Sequence, residues 1–140
     1  MIRVLLDTNV VLDVLLDRRP WSVQASAIWQ AHLQNRIAAH LTATSVTNVF
    51  YVARRYAGRD PAWQAIRACL DQLYVIAVGA NELQAAARLG GGDFEDALQA
   101  ACAEAAGLDA VVTRDPAGFA GATVAVLAPA ELLNRLNAAR

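Results

Sequence analysis

The sequence predicts an α/β fold, a three-layer sandwich with helices on both faces of a five-stranded parallel sheet. Short apolar runs with little polar alternation, such as residues 2–6 and 110–112, are typical of strands buried on both faces. Between these runs, apolar residues recur at helical spacing. Because strands that alternate with helices favour a parallel sheet with helices on both sides, the two patterns together predict this architecture.

Composition limits the classes of protein to consider. The 140 residues fit one domain, to which we assign residues 1–140, and a hydrophobic content of 56% excludes a disordered chain. The net charge of −1 lacks the strongly basic balance of a protein that holds nucleic acid by charge alone, although it allows a local basic patch. Since no leader and no long apolar run are visible, we expect a cytoplasmic protein without membrane contact. Cys69 and Cys102 lie in apolar helical patterns and are predicted to be buried free thiols.

The first half of the chain is read from its apolar runs and capping residues. Asp7-Thr8-Asn9 ends the first strand, Pro20 suits the first turn of a helix, and Thr44 or Ser45 suits the cap of the next. Gly58 is predicted to end that helix, and Asp60 to cap the one after it. The predicted strands are residues 2–6, 37–41 and 74–78, and the predicted helices are 10–16, 20–34, 44–57 and 61–73.

The second half repeats the alternation after one flexible stretch. Gly90-Gly91-Gly92 leads directly into a helix, which predicts a loop and not a domain linker. Gly107 is predicted to end that helix, and Pro129 to open the last one. The predicted helices are residues 81–89, 94–106 and 129–138, and the predicted strands are 110–112 and 124–127.

Acidic residues follow two of the predicted strands. Right-handed crossovers place every strand-to-helix loop at one edge of a parallel sheet, so Asp7 and Asp115 are expected at the same edge despite their separation in sequence. Asp93 and Asp96 lie three residues apart at a helix start and therefore share a face, although capping explains this pair equally well. Carboxylates without partner cations suit Mg²⁺ or Mn²⁺. The sequence has no Cys/His cluster for zinc and no phosphate-binding glycine motif.

At this point the chain resembles the PIN domain, a metal-dependent ribonuclease fold of many bacterial toxin–antitoxin toxins. The matching segments are residues 6–9, 44–55, 93–98 and 112–115, with Phe119 beyond them. The resemblance implies a strand order of 3-2-1-4-5 and a Mg²⁺- or Mn²⁺-dependent endoribonuclease. It implies metal ligation and catalysis by Asp7, Asp96 and Asp115, with Asp93 as an accessory ligand or a support.

Two positions depart from the family pattern. Asn48 stands where PIN nucleases usually have a glutamate early in the third helix, and an amide brings no charge to the site. Gly118 stands where relatives often have an acid before the phenylalanine. We expect Asn9, Asn48 and Thr113 to be weak ligands or supports of the ligands.

The expected partners are RNA, a small antitoxin protein and a second copy of the chain. Arg54 and Arg55 follow the Asn48 helix, and Arg18 and Arg19 follow the first helix. These four arginines are the candidate RNA-binding residues if both helices flank the acidic edge. The alternative is that they are solvated helix ends, where cations are favoured by the helix dipole.

Two other functions remain open at this stage. A phosphotransferase with Asp7 as nucleophile would normally need a lysine near the phosphate, and this chain has none. A PIN-like module that is catalytically weakened or inactive and binds RNA or protein is favoured by Asn48. Manganese titration separates it from the nuclease.

Overall fold

The central strand of the sheet is the N-terminal one, and it pairs in parallel with strands from both halves of the chain. The computed structural model describes residues 1–139, so Arg140, the last residue of the predicted domain, lies outside the described residues. The sheet has five strands in the order β3-β2-β1-β4-β5, and all its pairings are parallel. This confirms the predicted architecture and strand order. The strands are β1 (Ile2–Leu6), β2 (Ile37–Thr42), β3 (Tyr74–Ile76), β4 (Ala110–Val112) and β5 (Ala125–Leu127).

Helices cover both faces of this sheet. Val4 and Leu6 of β1 pack on one face, with α1 to α4 and α7, while Leu5 points to the opposite face and packs with α6. This alternation buries both faces of β1, as its apolar run predicted. Pro116–Phe119 forms a short 3₁₀ helix. The α-helices are α1 (Thr8–Leu15), α2 (Trp21–Leu33), α3 (Ala43–Ala57), α4 (Arg59–Gln72), α5 (Ala80–Leu89), α6 (Phe94–Ala105) and α7 (Pro129–Ala138).

The helix α3 begins earlier than predicted. Its cap is Thr42, whose side-chain oxygen accepts a hydrogen bond from the Ser45 backbone N–H at 3.1 Å, so the predictions of Thr44 or Ser45 as cap were wrong. Strand β2 continues to Thr42, and the chain therefore passes from strand to helix without a loop. Gly58, at φ 100°, ends α3 as predicted and also starts α4, which leaves Asp60 inside the first turn.

Several smaller features complete the comparison. The edge strands β3 and β5 are shorter than predicted, and the 3₁₀ helix after Asp115 was not predicted. Cys69 and Cys102 are buried and unbonded to each other, as expected. No helix within residues 1–139 has both the length and the apolar character needed to cross a membrane.

Candidate metal centre at the carboxyl edge of the sheet

The two central strands bring acids from opposite ends of the chain to one edge. Leu6 of β1 lies beside Val112 of β4, and the Asp7 N–H continues this pairing by donating to the Val112 carbonyl at 2.9 Å. The positions after both strands are therefore adjacent. Asp115 lies two residues beyond that point, at the start of the 3₁₀ helix.

Asp7 is held from two sides. Its side chain is buried, and its Oδ2 accepts from the Thr113 hydroxyl at 2.8 Å while its Oδ1 accepts from the Gln99 amide nitrogen at 3.1 Å. The same Thr113 oxygen accepts from the Asp115 N–H at 3.0 Å, so one hydroxyl connects both acids. The structure thus places Thr113 as a support of Asp7. Gln99, which the sequence reading missed, does the same from α6, and its Oε1 is buried without a partner among the described residues.

Asp93 and Asp96 occupy the first turn of α6. Asp93 is its N-cap, and its Oδ1 accepts from the Asp96 N–H at 3.0 Å, so the capping alternative holds for this residue. The pKa of Asp96 is raised to about 6 by burial and then by the negative charges of Asp93, Asp7, Glu95 and Asp115. The carboxylates of these four neighbouring acids therefore act electrostatically on Asp96.

A cleft of about 430 Å³ opens over these acids. Asp93, Asp96 and Asp115 line it, together with the glycine loop at residues 90–92 and the 3₁₀ helix. Gly118 closes one wall against the carboxylates of Asp96 and Asp115. A Cβ at Gly118 would overlap the Asp96 Oδ2, which gives a steric reason for glycine at this departure from the family pattern.

Glu95 is the acid that the sequence reading did not assign. Its Oε1 accepts from the Thr8 hydroxyl at 2.7 Å, and its Oε2 accepts from the Asn48 amide nitrogen at 2.9 Å. Its position one residue before Asp96 was the available signal, because it shares the acidic first turn. Asn9, which was expected in the site, is exposed, and its Oδ1 accepts from Arg18 at 3.2 Å.

The chemistry of this donor set fits an ion that prefers oxygen. Within residues 1–139, no arginine forms a salt bridge with the five acids of the edge. In the described part of the chain, the side chains do not form a group of three or more that would hold a metal alone. Mg²⁺ does not require such a cage, since it usually keeps several waters and binds through one or two carboxylates. The residues present therefore fit a hydrated Mg²⁺ or Mn²⁺ ion.

The candidate RNA-binding arginines lie at different distances from the acids. Arg54 and Arg55 are exposed in the last turn of α3, about 9 Å along the helix axis from Asn48 at the usual helical rise. Arg19 is exposed beside Asp17. The Arg18 side chain reaches back to the edge, where its guanidinium group donates a hydrogen bond to the Asn9 carbonyl at 3.0 Å. The topology therefore brings Arg18 to the site and leaves the other three outside it.

A second arginine, which the sequence reading also missed, joins Arg18. Arg114 lies directly before Asp115, and both guanidinium groups bond the buried carboxylate of Asp13. The Arg114 guanidinium stacks 4.1 Å above the ring of Trp21. Arg18, beside Asn9, and Arg114, directly before Asp115, thus place two cations near the acidic edge.

Comparison with solved structures shows the same fold. The toxin–antitoxin complex from Klebsiella pneumoniae has 22% identity and a TM-score of 0.67, and the match covers 90% of this chain and 97% of that one. VapBC-1 from nontypeable Haemophilus influenzae has 14% identity and a TM-score of 0.70 over 92% and 99%. VapC20 of Mycobacterium tuberculosis, described as a sarcin-ricin loop cleaving toxin, has 14% identity and a TM-score of 0.66 over 77% and 86%.

Sequence comparison gives the family. No curated protein matches this sequence. The family profile described as the PIN domain matches residues 3–117, which include most of β1, α3, the acidic turn of α6 and Asp115. Since this match covers most of the chain, and the strand order is the one that the resemblance implied, the protein belongs to the PIN domain family.

Proposed function

We propose that the protein is a Mg²⁺- or Mn²⁺-dependent endoribonuclease and the toxin of a toxin–antitoxin pair. The observation that carries the proposal is the gathering of carboxylates at the carboxyl edge of the sheet, where Asp7 is fixed and Asp96 and Asp115 line a cleft, with no salt bridge to any of them among the described residues. Membership of the PIN family supports the ribonuclease class.

In this proposal, Asp7, Asp96 and Asp115 are the metal-binding and catalytic acids, and Asp93 assists them. A bound divalent ion supplies an activated water and neutralises charge on the leaving oxygen. Thr113 and Gln99 fix Asp7, so its carboxylate keeps one orientation. Asp96 and Asp115 face the cleft, where a phosphodiester has access.

Arginines are the proposed contacts to the RNA backbone. Arg18 lies beside Asn9 at the edge, and Arg19, Arg54 and Arg55 extend the cationic surface along α1 and α3. The description of VapC20 as a sarcin-ricin loop cleaving toxin supports RNA as the substrate class. Guanidinium groups suit phosphate through paired hydrogen bonds.

An antitoxin is the proposed protein partner, and a homodimer is the proposed assembly. The solved complexes titled as VapBC and toxin–antitoxin pairs support the first of these. An exposed apolar surface on α3 and α4, where Phe50 packs against Tyr51 and Trp63, supports a protein contact there.

Phosphoryl transfer through Asp7 is disfavoured by the structure. A nucleophilic carboxylate needs an accessible oxygen, whereas the Asp7 side chain is 6% exposed and both its oxygens accept hydrogen bonds. The nuclease needs Asp7 only as a metal ligand, and a carboxylate that accepts two hydrogen bonds keeps acceptor sites for this role.

Cleavage of a labelled RNA pool tests the proposal. We expect Mg²⁺-dependent cleavage by the wild type, loss of cleavage with EDTA, and loss in Asp7→Asn and Asp96→Asn. Asp71→Asn, an exposed residue at the far end of α4, is the control and keeps full activity. Full activity in Asp96→Asn would contradict the site assignment. A wild type that neither cleaves RNA nor binds Mn²⁺ would favour the inactive binding module.

A further inference from the structure

Glu95 is held by donors from three separate helices. Thr8 of α1 and Asn48 of α3 donate to its two oxygens at 2.7 and 2.9 Å, and Gln99 of α6 approaches Oε1 at 3.5 Å. An ionised carboxylate has about four acceptor sites, so three donors leave it able to accept once more. No arginine within residues 1–139 pairs with Glu95. The surroundings therefore fix the carboxylate without neutralising its charge.

A chain of hydroxyl groups below Glu95 has only one possible direction. A carboxylate accepts only, so Thr8 donates its single hydroxyl proton to Glu95, and Ser45 must then donate to Thr8 at 2.7 Å. Thr42 donates to Ser45 at 3.0 Å, and Thr44 must donate to Thr42 at 2.9 Å. Every hydroxyl in this row donates toward Glu95. The row includes the buried residues Thr8, Thr42 and Ser45, so a side chain without an acceptor oxygen at position 95 would remove the group that orders it, whereas glutamine would keep one such oxygen.

We infer that Glu95 is a further acid of the metal site, carried by α6, and that Asn48 and Thr8 are its positioning residues. The inference rests on the proposed function. Asn48 brings no negative charge to the site. Glu95 supplies one at the same point, because its carboxylate is in contact with the Asn48 amide. The Gln99 amide nitrogen lies 3.1 Å from the Asp7 Oδ1 and 3.5 Å from the Glu95 Oε1, so one donor connects Glu95 to an acid of the proposed site.

This assignment changes the role of Asn48. Only the amide N–H group can donate to a carboxylate, so the contact requires the Asn48 nitrogen to face Glu95. Asn48 therefore acts through Glu95, as a donor that orients it. A glutamate at position 48 alone would place two carboxylates in contact and would lose this hydrogen bond.

Calorimetric titration of the intact protein with Mn²⁺ tests the inference. We expect Glu95→Gln to lower the Mn²⁺ affinity roughly tenfold or more, as loss of a ligand or a close support does. The exchange variant with both Asn48→Glu and Glu95→Gln should recover most of this affinity, because the new glutamine amide can donate to the new carboxylate. Glu104→Gln, an exposed change on the same helix, is the matched control and leaves the affinity unchanged.

Thermal melting without metal separates a folding defect from a binding defect. Because Glu95→Gln removes one of several like charges, we expect its metal-free melting temperature to equal or exceed that of the wild type. Unchanged Mn²⁺ affinity in Glu95→Gln, beside a clear loss in Asp96→Asn, would overturn this inference alone. No Mn²⁺ binding by the wild type would overturn the proposed function and this inference with it. A folded exchange variant that binds no better than Glu95→Gln would also overturn it.

Discussion

Arg114 and Asp13 lie 101 positions apart in the sequence, and the Arg114 Nε donates to the Asp13 Oδ2 at 2.9 Å. The second Asp13 oxygen accepts from Arg18 at 2.8 Å. Asp13 is 1% exposed, so this carboxylate depends on its two cations. The pair fixes the residue directly before Asp115 to α1, and so ties one acid of the site to the helix that follows Asp7.

We expect Asp13→Asn to destabilise the protein by about 2 kcal/mol, because charged hydrogen bonds to a buried acceptor are lost. The arginines are partly exposed, which keeps the loss below that of a fully buried pair. Urea unfolding measures the change. The same substitution at Asp60, whose ion pair with Arg59 is exposed, should change stability by less than about 0.5 kcal/mol. Equal effects at both positions would show that the Asp13 cluster adds no stability.

Gly118→Ala should weaken Mn²⁺ binding with the fold retained. The added Cβ would overlap the Asp96 Oδ2, and that carboxylate must then move from its place beside Asp115. Gly121→Ala is the control, since a Cβ there meets no atom within 4 Å. Calorimetry with Mn²⁺ reads the affinity, and circular dichroism reads the fold. The same affinity in both variants would mean that the Asp96 carboxylate shifts without consequence.

The metal-free protein should lose stability as the pH rises toward neutrality. The pKa of Asp96 is raised from 3.8 to about 6, so the folded chain holds this proton more tightly than the unfolded chain does. The resulting stability is fully present below the unfolded pKa and is lost as the pH rises through the folded pKa. Asp96→Asn has no such proton. We therefore expect the difference in melting temperature, that of Asp96→Asn minus that of the wild type, to increase between about pH 4 and pH 7. A constant difference would contradict the raised pKa.

Arg54→Gln combined with Arg55→Gln should weaken RNA binding without a change in folding. Both side chains are exposed, so we expect a stability change within about 0.5 kcal/mol. Each lost phosphate contact should reduce the slope of log affinity against log salt by about 1. Filter binding with the inactive Asp7→Asn chain measures affinity without cleavage. Arg88→Gln, exposed on α5, is the control. An unchanged salt slope would place the RNA elsewhere.

The apolar pattern predicted the sheet because burial on both faces leaves a direct trace in the sequence. Residues 2–6, interrupted only by Arg3, and residues 110–112 are apolar runs and became β1 and β4 with the same bounds. The cap of α3 was predicted wrongly, because three of the four positions from Thr42 to Ser45 offer hydroxyls and only the length of β2 decides among them. The end of a strand depends on its partner strands, which the local sequence does not contain.

The residues of the site could be predicted from the sequence only in part, for a related reason. Acids at strand ends are visible in the sequence, since the topology assigns those ends to one edge. Glu95 was not distinguished from a solvated residue in the first turn of α6, because its neighbours Thr8 and Asn48 come from α1 and α3. Asp13 likewise became identifiable as an ion-pair centre only when β4 brought Arg114 beside it. Contacts between distant elements are what a single sequence does not display.

The central place of β1 has a consequence for synthesis on the ribosome. Strand β4 pairs with β1, and Asp115 follows β4, so the last acid joins the site only after residues 110–112 have been made. A nascent chain that ends earlier carries Asp7 and Asp96 but not the strand that sets the Thr113 hydroxyl against Asp7. Translation thus delays assembly of the site until β4 and Asp115 have been synthesised, and a product terminated before them would lack the complete site.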